Sequence, residues 1–179
     1  MSLVVETGSG SATANSYNDA AGVTVLLVGT PYAATWEALE DKDSAAIAAT
    51  IFMDIKFRYY GQTLFTIQAL QWPRTKNLDG QGNPIAPGTM PLELLKAHAL
   101  VSGMMSQDPD LFGESFEGQI PLKQFTSDTL SLQFGDPTKG SIEQVLGARF
   151  TGVELLIRPI GTRKDGEFLD TSKQSIVRR

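Results

Sequence analysis

This chain of 179 residues contains no cysteine and a single histidine. The first absence excludes disulfides, thiolate metal sites and cysteine nucleophiles, while leaving the redox compartment open. The second excludes a histidine pair, and one imidazole without thiolates cannot build the usual zinc site. His98 falls mid-helix on a mostly apolar face, where a hydrogen-bonded or interface histidine is expected rather than a general base. No apolar run approaches the length of a membrane span. The first residues carry neither the basic nor the apolar stretch of a secretory signal. A soluble protein made and used in a cytoplasm is therefore expected. Catalytic signatures are missing too. There is no Gly-x-Ser-x-Gly elbow, and Gly8-Ser9-Gly10 lacks the lysine and the strand–turn–helix setting of a phosphate loop. Carboxylate pairs such as Glu37/Glu40 and Asp108/Asp110 are what any acidic chain supplies. Glycosidic acid–base work needs a pair held across a cleft. No enzymatic activity, metal or cofactor is expected.

What is present suits one domain with a tail. Hydrophobic residues make up 41%, enough for a modest core, and the net charge is −5. General attraction to nucleic acid or to an anionic membrane is not expected of such a surface. The charge is uneven. From Gly161 onward, Arg163, Lys164, Lys173, Arg178 and Arg179 outnumber Asp165, Glu167 and Asp170 for a net +2, leaving −7 on the rest. An acidic body with a mildly basic tail fits a docking appendage, or an ordinary frayed terminus.

Hydrophobic periods predict an α+β chain, mainly α, with three to four helices, a β-hairpin, and extended arms at both ends. The expected divisions are an N-terminal arm (1–14), a body (15–160) with a hairpin (117–134), and a C-terminal tail (161–179). The arm is small and polar and reads as a mobile segment that orders against a neighbour. Ser16 is the expected N-cap of a first helix from Tyr17 to about Val28, with Asp19 at N3. Asp41 or Asp43 caps a second helix, whose Ile47, Ile51 and Ile55 fall at i, i+4 and i+8 and predict its buried stripe. Trp36 and Leu39 are expected over the same core. This helix is expected to end at Phe57-Arg58-Tyr59-Tyr60, with Gly61 at C′.

A long connection from Gln62 to Pro91 follows, dense in turn residues; such a stretch is usually functional or held by a partner. In it Trp72 reads as a buried pin, Pro73 sets the backbone before it, and Arg74 is offered at a fixed place. A third helix starts with Pro91 at N1. It places Leu94, His98, Val101 and Met105 on one face and fades at Gln107-Asp108-Pro109. Extended runs at about 117–125 and 129–134 predict the hairpin, the second alternating Leu130, Leu132 and Phe134 with Ser131 and Gln133. Ser141 caps a short helix from Ile142 to about Phe150, broken by Gly152, and Val153 to Ile160 reads as strand or extended segment.

Two local clusters suggest chemistry and have plainer explanations. Asp79-Gly80-Gln81-Gly82-Asn83 is faintly like a calcium loop, but it has one carboxylate and no closing glutamate, so a solvated loop is expected. Lys56-Phe57-Arg58-Tyr59-Tyr60 interleaves bases with aromatics, as single-strand nucleic-acid binders do. As a helix end, the same residues give a core phenylalanine, two capping tyrosines and a solvated basic turn suited to the dipole.

Three segments, taken in order, go further: Val4-Val5-Glu6-Thr7-Gly8, Ala14-Asn15-Ser16-Tyr17, and Gln68-Ala69-Leu70-Gln71-Trp72-Pro73-Arg74. Their sequence and spacing resemble the head–tail connector (adaptor) proteins of tailed bacteriophages, a group also labelled primosome-like and single-stranded-DNA-binding. The resemblance is close over about residues 3–75 and looser through the third helix and hairpin. The chain departs from the family in a less charged first helix and a longer C-terminus. The resemblance implies a small helical bundle with a projecting β-hairpin, in a structural virion protein at the neck, without chemistry. It would form a homo-oligomeric ring, commonly a dodecamer, beneath the portal protein, joining portal to tail and extending the channel through which duplex DNA passes without sequence-specific binding. In that setting an acidic lumen would let the genome slide, and Arg163, Lys164, Lys173, Arg178 and Arg179 would dock on the portal. Trp72, Pro73 and Arg74 would be a structural motif. The alternatives are a single-stranded-DNA-binding module, for which Tyr59 and Tyr60 would be required, and a tail-completion protein.

Overall fold

The structure, a computed structural model, describes residues 2–108, 124–127, 130–133 and 142–164. Within them the chain is α+β and mainly α. The helices are α1 (Ala20–Leu27), α2 (Ala33–Ala38), α3 (Lys42–Lys56), α4 (Leu92–Gln107) and α5 (Ile142–Ile157). Three antiparallel ribbons accompany them. β1 (Phe57–Tyr59) pairs with β6 (Gly161–Arg163), β2 (Gln62–Thr63) with β3 (Arg74–Thr75), and β4 (Gln124–Ser127) with β5 (Leu130–Gln133). The last is the expected hairpin, in register Phe125 to Leu132 and Ser127 to Leu130. The remaining residues assigned to it, 117–123, 128–129 and 134, lie outside the described residues, as does the cap expected at Ser141. No described helix is long and apolar enough to cross a membrane.

α4 is the axis of the bundle and packs against α1, α2, α3 and α5. The face expected from its period, Leu94, His98, Val101 and Met105, is buried, and so are Ala97, Ala99 and Gly103 on its other sides. Small residues are what allow a helix to be enclosed so completely. At Gly103 an added Cβ would lie 2.6 Å from the Tyr32 Cβ, so only glycine permits this approach to the α1–α2 corner. Pro91 is the N-cap residue rather than N1, with φ −64°.

Several expectations are corrected. The first helix begins later, because Asp19 and not Ser16 caps it: the Asp19 carboxylate accepts from the Gly22 N–H at 2.7 Å. Ser16 is buried, and its hydroxyl donates to the Asn18 carbonyl at 2.6 Å. Trp36 lies in α2 and belongs to a separate small core with Val23, Leu27 and Ala99, its indole N–H donating to Thr24 at 2.9 Å. On α3, capped by Asp41 through Ser44, the buried face is Ala46, Ala49, Thr50, Phe52 and Met53. Two members of the isoleucine stripe point outward, Ile51 at 54% exposed and Ile55 at 68%, while Ile47 is half-buried. Both stripes are apolar, and the alanine-rich one wins because it lets α3 lie close to α4.

Gly61 is not a helix terminator. α3 stops at Lys56, and the chain leaves it as β1, with Gly61 at φ +73° in the turn toward β2. Gly152 breaks nothing; no neighbouring atom lies within contact of its added Cβ, and α5 runs through it to Ile157. The segment read as strand or extended, 153–160, is therefore mostly helix. The boundary at 160/161 also falls inside a structural unit. Ile160 and Gly161 are buried, β6 pairs with β1, and the Lys164 N–H donates to the Lys56 carbonyl at 2.9 Å.

Removing residues 161–179 strips β1 of its partner and uncovers Phe57 and Tyr59. That truncation is expected to lose about 2 kcal/mol or more of stability, whereas removing 165–179 spares every described contact. Urea unfolding of the two truncations against the full chain measures the difference; equal stability of all three would show that the ribbon contributes nothing.

Candidate functional site

The polar centre of the molecule is built on Asp54, in the last turn of α3. The Tyr17 hydroxyl donates to its carboxylate, and so does the Gln71 N–H at 3.2 Å. Its backbone carbonyl accepts from the Gln71 side-chain amide at 2.7 Å and from the Lys164 ammonium. Burial holds the Asp54 carboxyl above the usual range, against the pull of Tyr17, Gln71, Lys164 and Arg74. Burial, with Tyr59 and Asp54 adding to it, raises the Tyr17 phenol well above its ordinary value, so it stays a donor.

The Trp72-Pro73-Arg74 motif sits beside this centre. Trp72 is fully buried, edge-on to Tyr59 with ring centroids 6.1 Å apart, and the Trp72–Pro73 peptide is cis. The pin expected at Trp72 is thus in place. Arg74 is fixed but turned inward. Its Nε donates to the Tyr60 carbonyl at 2.7 Å, Nη1 to Gln71 at 2.9 Å and Nη2 to Gly61 at 2.9 Å. A planar fork meeting three divergent carbonyls is a task for arginine specifically. Tyr59 Oη and Trp72 Nε1 are buried without a hydrogen-bond partner among the described residues.

The basic–aromatic cluster changes meaning once it lies on a strand. Residues alternate across β1, so Phe57 and Tyr59 are buried while Arg58 and Tyr60 face outward. Tyr59, 3% exposed, is no stacking platform; Tyr60, 47% exposed, can be. Of the residues assigned to portal docking, Arg163 pairs with Glu154 at 3.0 Å and Lys164 bonds to Asp54. Lys173, Arg178 and Arg179 lie outside the described residues.

Sequence reasoning noted Glu6 only as part of a motif and gave it no task. It is 1% exposed, and its carboxylate accepts from the Gly8, Gly10 and Ser11 N–H groups at 2.8, 3.0 and 2.8 Å. Gly8 at φ +99° turns the chain so that these amides converge, and its added Cβ would collide with the Gly88 carbonyl. The segment expected as a mobile arm is therefore folded on its own body, tied also by Asn15 and Ser16 N–H bonds to the Val4 carbonyl. The signal was there in Glu-x-Gly-x-Gly, an acid followed by residues free to take positive φ.

Asp79 is likewise occupied, accepting from the Gln81 and Asn83 N–H groups at 2.8 Å each, which holds its carboxyl below the usual range. It closes a turn. Among the described residues no group of three or more acidic or histidine side chains could hold a metal. His98 is the hydrogen-bonded histidine expected: Nε2 lies 2.9 Å from the Ala46 carbonyl and 3.0 Å from the Thr50 hydroxyl, while Nδ1 has no partner among the described residues.

A family model described as "Putative DnaT-like ssDNA binding protein" matches residues 1–177. The chain belongs to this family. No curated protein and no solved structure matches it. The family's description speaks of single-stranded DNA. Of the two tyrosines weighed for such a surface, Tyr59 is buried and Tyr60 is 47% exposed.

Two substitutions test the site's construction. Lysine at position 74 keeps the charge but cannot fork to three carbonyls, so Arg74→Lys is expected to lose about 2 kcal/mol in urea unfolding; full stability would mean the fork contributes nothing. His98 is fully buried, and burial lowers its pKa from 6.5 to about 4. The unfolded chain then binds a proton that the folded chain refuses, so this group's contribution is intact above pH 6.5 and is lost as pH falls toward 4, by about 3 kcal/mol in all. Asp54, raised by burial, works in the opposite sense, its contribution falling as pH rises. The difference in stability between wild type and His98→Leu across this window isolates the histidine; parallel curves would refute the assignment.

Proposed function

We propose that this protein is a structural subunit of a phage neck: a head–tail connector that assembles into a ring beneath the portal, lengthens the DNA channel and joins portal to tail. The observation that carries the reading is the outward isoleucine stripe of α3. A ring contact is heterologous and demands two different apolar surfaces on each subunit. Ile51 and Ile55 offer one; Val25 on α1 and Val28 just past its end, 71% and 76% exposed, offer another. Scattered apolar side chains are ordinary on a surface, but a stripe at helical spacing on a helix that could have buried it is not. Covering Ile51 and Ile55 contributes about 1–2 kcal/mol each.

The order and spacing of the Glu6, Asn15–Tyr17 and Trp72-Pro73-Arg74 segments support the same reading. Each now has a structural task, which suits a protein whose distinctive residues build a shape and perform no reaction. The portal-docking role stays with Lys173, Arg178 and Arg179, and an acidic body suits a channel that must not hold DNA.

Negative-stain electron microscopy of the purified chain, alone and mixed with its portal, tests this. Rings, or a collar formed on the portal, are expected. Ile51→Glu combined with Ile55→Glu should abolish them, while the melting of the monomer changes by no more than about 0.5 kcal/mol because both side chains are exposed. A monomer that ignores the portal, or rings that survive the double substitution, would sink the reading or its assigned interface, respectively.

A further inference from the structure

α1 shows no polar side chain to solvent. Its residues, Ala20–Leu27, include no charge. Its one hydroxyl is engaged inside the molecule: Thr24 donates to the Ala20 carbonyl at 2.9 Å and accepts from the Trp36 indole N–H at 2.9 Å. Val23 and Leu27 are buried against the rest of the chain. Ala21, Val25 and, just past the helix, Val28 are exposed at i, i+4 and i+7. A surface helix ordinarily turns a polar face to water, and one that is apolar all round is covered on all sides. The described residues cover one side of α1, and the other is left for a partner.

The chain itself supplies a match. On α3, Ile47 is half-buried and Ile51 and Ile55 are exposed at i, i+4 and i+8, and no charged residue lies between Ser44 and Met53. Both rows are exposed in the same subunit, so they do not meet within it. They are nearly equal in length, about 10 Å on α1 and about 12 Å on α3. Charge flanks one end of each. Exposed Asp19 stands two residues before Ala21; exposed Arg58 stands three residues after Ile55 and forms no ion pair among the described residues. Laid antiparallel, the rows set Ala21 against Ile55, Val25 against Ile51 and Val28 against Ile47, with Asp19 toward Arg58. Laid parallel, they would bring Asp19 to the end of α3 that begins with exposed Asp41 and Asp43, where like charges repel. A lipid surface is a poorer match. Helices that lie in a membrane interface set Lys or Arg beside the apolar face, and the charge beside this face is an aspartate.

We propose that α1 of one copy packs antiparallel on α3 of a second copy, Val25 against Ile51, with Asp19 facing Arg58. The inference rests on the self-assembly proposed above and deepens it, joining two exposed rows into one defined contact. Burial of the rows supplies the affinity. The charge pair is exposed and adds little energy; its part is to fix the direction of the helices. Where each copy engages two neighbours, the contact repeats by rotation into a ring. Where both rows engage the same neighbour, it stops at a two-fold pair, and experiment separates the two.

The chain has no cysteine, so pairs of introduced cysteines report the contact without background. Full-length Val25→Cys and Ile51→Cys chains, altered at exposed positions, are mixed and oxidised, alone and with the portal, and run on non-reducing gels. The mixture is expected to give linked dimer at least about tenfold above either chain by itself, since only facing Cβ atoms can be bridged. Ala21→Cys should link to Ile55→Cys, and Val28→Cys should not, which reads out the antiparallel sense. Asp19→Asn, which keeps the helix cap, and Arg58→Gln should each slow linking by about two- to fivefold, and the two together no further than either. No linking with or without the portal would overturn the proposal. So would either chain linking to itself as strongly as in the mixture, or Val28→Cys taking the place of Ala21→Cys. The connector reading is judged separately. A chain carrying both Val25→Cys and Ile51→Cys should give covalent ladders that close as rings. Linked pairs that grow no further would keep the α1–α3 contact and sink the ring; rings on the portal without any link would keep the ring and sink the contact.

Discussion

The carboxylate and carbonyl of Asp54 hold together four stretches of chain by hydrogen bonds. Tyr17 comes from the segment before α1, Gln71 from the long loop, and Lys164 from the end of β6; all three donate to this one residue of α3. Taking away the carboxylate would leave a buried phenol and a backbone amide without acceptors, and an orphaned buried donor costs more than a satisfied one contributes. The position of Asp54 matters as much as its chemistry. It lies in the final turn of α3, so fixing it fixes the direction in which the chain departs as β1, and hence where β6 must return.

The Gln62–Pro91 connection is long because it has to reach this point and stay there. It contains only two short strands, and its order comes from inward bonds: the Arg74 fork to Tyr60, Gln71 and Gly61, the Asn77 side chain to the Tyr60 and Ile160 carbonyls, and Asp79 closing its own turn. Asn77 is 2% exposed and bonds to both chains at one end of the β1–β6 ribbon, so the loop also braces it. The N-terminal segment closes over the loop from the other side, with the Ala69 N–H bonded to the Ser11 carbonyl at 3.0 Å. Arm, loop and ribbon are one assembly built on the end of a helix.

What was legible in the sequence was local. The α4 face could be read because its apolar residues repeat at one spacing over four turns, and Trp72 because a large ring before proline in a loop has few places to go. The α3 face could not, since Ile47, Ile51 and Ile55 compete with Ala46, Ala49 and Met53, and size favours the wrong set when close packing favours the small one. The pairing of β1 with β6 joins residues about a hundred positions apart, and three-residue strands carry no period to detect. That one missed pairing accounts for two errors: a strand read as a helix end with two capping tyrosines, and a tail read as beginning at Gly161. The Glu6 loop was hidden for a different reason. Glu-x-Gly-x-Gly signals that the chain can turn its amides toward the acid, but which amides converge follows only from the positive φ at Gly8 and Gly10.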